Sequence, residues 1–357
     1  MFLYVLVLVS VCSTAWLASW TPLLFQKKVT SFLLAIITIF SALRGYVGTD
    51  TYSYHEMYNN FVDEDLGGVF GVVEPIFVFL IKAVGLLGGS SFLFVGAISL
   101  IQGVLLWVVL RSLASPALFL CFYVSAFYLS FSFNILRGGT AALVLLITVS
   151  ELYGSAKKFY IGGLIAFLAH YSSLIFYLPI VIVRERISFK LFGLLVVILV
   201  ASGLVFVFLI SDAQAAKYLS YAVFFGSGEE ASYGAGFFLL IVLFGILCSY
   251  ISLSFGNAWI FVFFLFWVVL RYFSNVFLFV DRVEVIVNII LVYWCFYYSG
   301  RRKYSMYVRM IVLPLVVLNL FGGISGLEKV DSGARVNSLD DMHLKSPYVP
   351  YRFFWEE

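Results

Sequence analysis

Long apolar runs follow one another along almost the whole chain, near residues 2–20, 30–43, 75–88, 91–110, 116–133, 135–153, 159–183, 189–210, 236–254, 257–273, 276–298 and 306–323. A helix that crosses a bilayer needs about 20 mostly apolar residues and must satisfy its backbone hydrogen bonds internally. Two of the runs, 30–43 and 75–88, are short. The fold class read from this pattern is all-α, a polytopic membrane protein with about 10–12 transmembrane helices. Charge is scarce enough to agree: 11% of the 357 residues are charged and 63% are hydrophobic, where a soluble domain carries about 25% charged residues. A water-soluble domain leaves roughly a quarter or more of its chain surface exposed, and this sequence lacks the polar residues to cover it. That excludes a cytosolic enzyme, a secreted disulfide scaffold, a nucleic-acid-binding domain and a disordered regulator. The net charge of +3 is too small and too scattered to steer a polyanion.

The four cysteines, Cys12, Cys121, Cys248 and Cys295, lie far apart inside apolar runs and form no CxxC pair. They read as small apolar side chains rather than zinc ligands or redox centres. The first run has no Lys or Arg ahead of it, so it reads as a retained helix and not as a secretory signal. Residues 1–323 are expected to form one membrane domain. Polarity gathers in an acidic loop, 44–74, in a second loop, 211–234, and in a tail, 324–357. Basic residues favour cytoplasmic loops. Lys27–Lys28, Arg184–Arg186–Lys190 and Arg301–Arg302–Lys303 all follow odd-numbered runs, which puts both loops and the tail on the opposite, outer side. Lys157–Lys158 breaks the pattern. The following run, 159–183, is interrupted by His170-Tyr171-Ser172-Ser173, and a re-entrant helix pair would reconcile the two.

Ionisable groups in membrane segments cost about 2.5–3.5 kcal/mol each at a helix centre, so each one needs a reason. Arg44 ends the second run and leads into Gly45-Tyr46-Val47-Gly48-Thr49-Asp50, then Tyr52 and Tyr54. It reads either as an interface anchor or as part of a site. Arg137, in Asn134-Ile135-Leu136-Arg137-Gly138-Gly139, has no acidic residue within helical reach, so its partner is a distant residue or a ligand anion. A guanidinium grips phosphate bidentately. His170 is the one histidine in a membrane run, either a structural group or a base. Asp281, Arg282 and Glu284 form the densest charge cluster in an apolar stretch, readable as an ion-pair network or as a site. Phosphate-loop, dinucleotide and HExxH motifs are absent, which argues against ATP-driven chemistry. Arginines at membrane boundaries beside many aromatics suit a lipid-linked phosphate carrying sugars.

The run Ser41 to Asp50 with Tyr52 and Tyr54, the stretch Asn134 to Gly138, and the Lys157–Lys158 turn followed by Leu168-Ala169-His170-Tyr171-Ser172 resemble the EpsG-like, Wzy-type polysaccharide polymerases. Lys217 to Tyr221, Arg282 in a late helix and the ending Pro347-Tyr348 to Pro350-Tyr351 follow in the family's order. The resemblance implies a GT-C-like helical bundle in the bacterial inner membrane, with its active site and polar tail facing the periplasm. It implies transfer of a growing glycan from one undecaprenyl-pyrophosphate carrier onto the sugar of the next, making O-antigen, capsule or exopolysaccharide. Membrane lipid and a chain-length regulator protein are the other partners it suggests; no nucleic acid, cofactor or metal is called for. Arg137 and Arg282 match positions suited to the leaving pyrophosphate, with Arg44 next and Tyr52, Tyr54 and Glu284 as substrate contacts. Asp50 and His170 are the candidate general bases, with Glu284 behind them. Gly139 departs from the polar residue expected there. A lipid-linked oligosaccharide flippase and an O-antigen ligase share this composition and are the rival readings.

Overall fold

The computed structural model describes residues 2–48, 50–65, 69, 73–152, 154–185, 235–255, 258–273, 278–299 and 306–331. The expected span 189–210, the loop 211–234 and the tail beyond residue 331 lie outside them. All regular elements among the described residues are helical. They are α1 (Phe2–Ala18), α2 (Leu23–Ala42), α3 (Thr51–Phe61), α4 (Pro75–Leu86), α5 (Ser91–Arg111), α6 (Pro116–Ala126), a π turn (Ser130–Asn134), α7 (Leu136–Ser150), α8 (Ala156–Ala169), α9 (Ser173–Arg184), α10 (Ala235–Phe255), α11 (Ala258–Phe273), α12 (Leu278–Ser299) and α13 (Met306–Asp331). Among these, α2 and α5 are long and apolar enough to cross a bilayer; the other apolar helices have described stretches of 10–17 residues.

The chain forms two compact units, residues 1–174 with 292–357, and residues 175–291. In the first, α6 and α7 are mostly apolar, Arg137 of α7 apart, and buried on nearly every side, as a helix at the centre of a bundle must be. Helices α1, α2, α5 and α13 pack on α6, while α5 and α8 pack on α7. The outward faces of the surrounding helices are also apolar: Leu24, Phe32 and Ile39 of α2, Val104 of α5 and Leu164 of α8 stand exposed. Large apolar side chains on the outside of a bundle need lipid around them. In the second unit α10 packs on α11, with Phe244, Phe264 and Trp267 interlocked between them.

Two breaks matter for the site. The sequence places a helix boundary near residue 134; the structure adds a π turn there, and α7 starts just after it at Leu136. Gln102 of α5 explains how such a turn survives in an apolar core. Its amide donates to the carbonyls of Phe131 (3.1 Å) and Leu136 (2.9 Å) and to the Thr140 hydroxyl (3.3 Å), pairing backbone groups that a burial without partners would penalise. The second break separates α8 from α9 at His170, whose backbone is extended (φ −162°, ψ 115°). Helix α2 begins at Leu23, earlier than the apolar run at 30, because Lys27 and Lys28 extend from a helix that continues through them. The last helix runs to Asp331.

Candidate functional site

Three helix ends meet around one carboxylate, and a fourth helix reaches its arginine partner. Glu74 occupies the N-cap of α4, with Pro75 at the first helical position where its missing N–H costs nothing. A cap residue ordinarily turns back to bond the first turn, yet the Glu74 side chain makes no capping bond. Its Oε2 instead accepts from Arg137 Nη1 at 2.6 Å, and its Oε1 lies 2.7 Å from His170 Nδ1. Arg137 sits in the first turn of α7 and His170 caps the C-terminus of α8. The electropositive N-terminus of α7 favours the carboxylate.

Tyr54 of α3 supplies the fourth contact. The Arg137 backbone N–H is one of the first-turn donors with no partner inside its own helix; it donates to the Tyr54 hydroxyl at 3.4 Å. The guanidinium carbon of Arg137 lies 5.9 Å from the centre of the Tyr54 ring. Helix α3 is held in place by Lys82 of α4, which donates to the carbonyls of Phe61 (2.8 Å), Val62 (3.0 Å) and Glu64 at the C-terminal end of α3.

Exposure sorts the roles. The Glu74 side chain is 6% exposed, against 32% for Arg137 and 27% for His170. The carboxylate is enclosed while the cation and the imidazole present surface to whatever enters. Burial pushes the Glu74 carboxyl upward, but the His170 hydrogen bond and the Arg137 charge prevail and hold it below the ordinary glutamate value. Burial raises the Tyr54 phenol, with the Arg137 charge opposing and Asp50 adding to the rise.

The remaining residues singled out from the sequence are placed as follows. Asp50 immediately precedes α3, and its carbonyl accepts from the Tyr54 amide at 3.4 Å, so it neighbours the cluster through Tyr54. Tyr52 packs instead against Tyr46, with ring centres 5.9 Å apart. Arg44 is directed inward and is 1% exposed. It donates to the Ser41 carbonyl (2.7 Å) and the Ser99 hydroxyl (3.1 Å) and lies over the Phe133 ring at 5.0 Å, supporting the π turn ahead of Arg137. Glu284 belongs to the second unit, where it accepts from the Trp267 indole and pairs with Arg271 at 3.5 Å. Arg282 lies on α12, with its side chain outside the described residues. Gly139 has a plain reason: a Cβ there would stand 2.7 Å from the Phe131 Cβ.

Glu74 is the residue that the sequence did not mark as part of a site. It closes the acidic loop and resembles any other loop charge. The available signal was its position directly before Pro75 at the head of an apolar run, where a carboxylate is held at the membrane edge. The separation of 63 positions from Arg137 hid the pairing.

Apolar outer faces, together with a partly open cluster of charges at helix ends of the first unit, are what a membrane protein with a polar site presents. A family model described as the EpsG family matches residues 27–328. The chain belongs to the EpsG family, which bears out the resemblance carried by its motifs. No curated protein and no solved structure matches the chain.

Proposed function

We propose that this protein is a membrane glycosyltransferase that polymerises undecaprenyl-pyrophosphate-linked oligosaccharide units at the periplasmic face of the bacterial inner membrane. The observation that carries the reading is the meeting of Arg137 and His170, a permanent cation and a titratable base, at a partly exposed cluster built on the Glu74 carboxylate. Family membership adds the substrate class.

In this reading the donor's pyrophosphate rests against the open side of the Arg137 guanidinium, which stabilises the charge that grows as the carrier departs. His170 takes the proton from the acceptor hydroxyl. A base must reach the atom it deprotonates, and His170 is more open than the carboxylate behind it. Asp50 then adds negative charge beside Tyr54 rather than acting as the base. Arg282, in the second unit, stays a candidate on the strength of the resemblance alone. A chain-length regulator is a further partner in the same reading.

The surface-glycan ladder of a deletion strain tests the proposal. Surface chains one repeat long are the expected result. Full-length glycan retained on the carrier identifies a ligase instead, and units trapped inside the cell identify a flippase.

A further inference from the structure

We propose that Glu74 is a positioning residue: it holds His170 with Nδ1–H toward itself and Nε2 toward the acceptor, and tethers Arg137 at a fixed spacing from that base. The inference rests on the polymerase reading above and assigns a task within it.

Three observations converge. Glu74 stands at a helix cap and leaves that cap unmade, so its conformation serves other partners. A carboxylate on a side chain 6% exposed pays a large desolvation cost that only paired, hydrogen-bonded partners offset. Each of its two oxygens meets one of the groups the transfer needs, Arg137 on Oε2 and His170 on Oε1. An ionised carboxylate only accepts hydrogen bonds, so the nitrogen facing it must carry hydrogen. In neutral His170 that leaves Nε2 with its lone pair free. The charged and titratable groups around His170 are Glu74 at the head of α4, Arg137 of α7 through that carboxylate, and Tyr54 of α3 with Asp50 beyond Arg137.

The step balances as follows. The acceptor oxygen forms the new bond to the anomeric carbon while its proton passes to His170 Nε2. The bond from that carbon to the carrier's pyrophosphate breaks, and its electron pair leaves with the pyrophosphate beside Arg137. Glu74 stabilises the imidazolium, which returns its proton to the departing phosphate or to water.

Steady-state kinetics on purified lipid-linked repeat units, for wild type, Glu74→Gln and Glu74→Asp, provide the test. Glutamine keeps the shape and removes the charge. The expected result is a fall in kcat of about 100- to 1,000-fold with KM for the donor within about threefold. Glu74→Asp restores part of the rate. A drop in melting temperature with kcat unchanged would reduce Glu74 to a staple between helices and overturn the proposal. Nitrogen-15 NMR of His170 separates the two levels of inference. If wild type turns over no lipid-linked repeat, the polymerase reading fails, while an Nδ1–H tautomer in wild type that is lost in Glu74→Gln still upholds the positioning role. An Nε2–H tautomer in wild type contradicts it, whether or not the glutamine variant folds.

Discussion

Gly48 lies directly against Phe133: a Cβ at Gly48 would stand 2.4 Å from the Phe133 carbonyl oxygen, and the Gly48 backbone has φ 106°. Only a residue without a side chain fits both the space and that left-handed conformation. The same carbonyl accepts from the Thr51 hydroxyl at 3.0 Å. The loop before α3 is thereby fastened to the π turn before α7, and Tyr54 is delivered to Arg137.

Gly48→Ala therefore strains the backbone and forces two segments apart. The expected cost is about 1–3 kcal/mol, read as a lower melting temperature in detergent. Polymer synthesis should fall with it, because the Tyr54–Arg137 contact depends on this seam. An alanine variant as stable as wild type would show that the seam does not hold the site.

Gln102→Leu leaves the buried carbonyls of Phe131 and Leu136 without the amide that now serves both. The Leu136 carbonyl keeps the Thr140 hydroxyl at 2.8 Å, so the loss is that of the amide's own bonds, about 0.5–1.5 kcal/mol each. Loss of stability, with faster hydrogen exchange at the start of α7, is the expected outcome, and exchange mass spectrometry on the purified protein reads it.

His55 makes stability depend on pH. It is buried in α3 with Nδ1 2.8 Å from the Ser91 hydroxyl. Burial, aided by the Arg44 charge, pushes its pKa down to about 4. The unfolded chain binds a proton on this side chain near pH 6.5, while the folded protein resists one until about pH 4. The contribution is complete above pH 6.5 and is lost as pH falls toward 4, amounting to roughly 3 kcal/mol. Melting temperatures between pH 7.5 and 4.5 should drop more steeply for wild type than for His55→Gln. Parallel curves would remove His55 as the cause.

Lys82→Met removes the ammonium that caps the C-terminal end of α3 with three carbonyl contacts. Interactions of this kind contribute about 0.5–2 kcal/mol. Limited proteolysis should cut the 62–65 segment sooner, with α7 unaffected.

The apolar runs made the helical bundle legible, because lipid demands an unbroken hydrophobic stretch and tolerates little else. The polar break at His170 and the boundary near Asn134 were readable for the same reason: each interrupts such a stretch. Lys27 and Lys28 concealed the start of α2, since a helix continues through charges that reach its surface. Arg137 and His170 stood out as charges without local partners. Glu74 did not, because nothing in a linear sequence records that a loop carboxylate pairs across 63 residues with one helix start and also with a helix end 96 residues away. Arg44 shows the converse: it stood out as an unexplained charge and proves to be packed beneath the site.

The central claim is that Arg137 and His170 serve glycan transfer between lipid carriers. Its most direct test is turnover of a purified undecaprenyl-pyrophosphate-linked repeat unit by the protein in liposomes, comparing wild type with Arg137→Ala and His170→Ala. The expected result is polymer from wild type, with each variant inserted in the membrane and slower by about 100-fold or more. Polymer of normal length and rate from either variant would contradict the account.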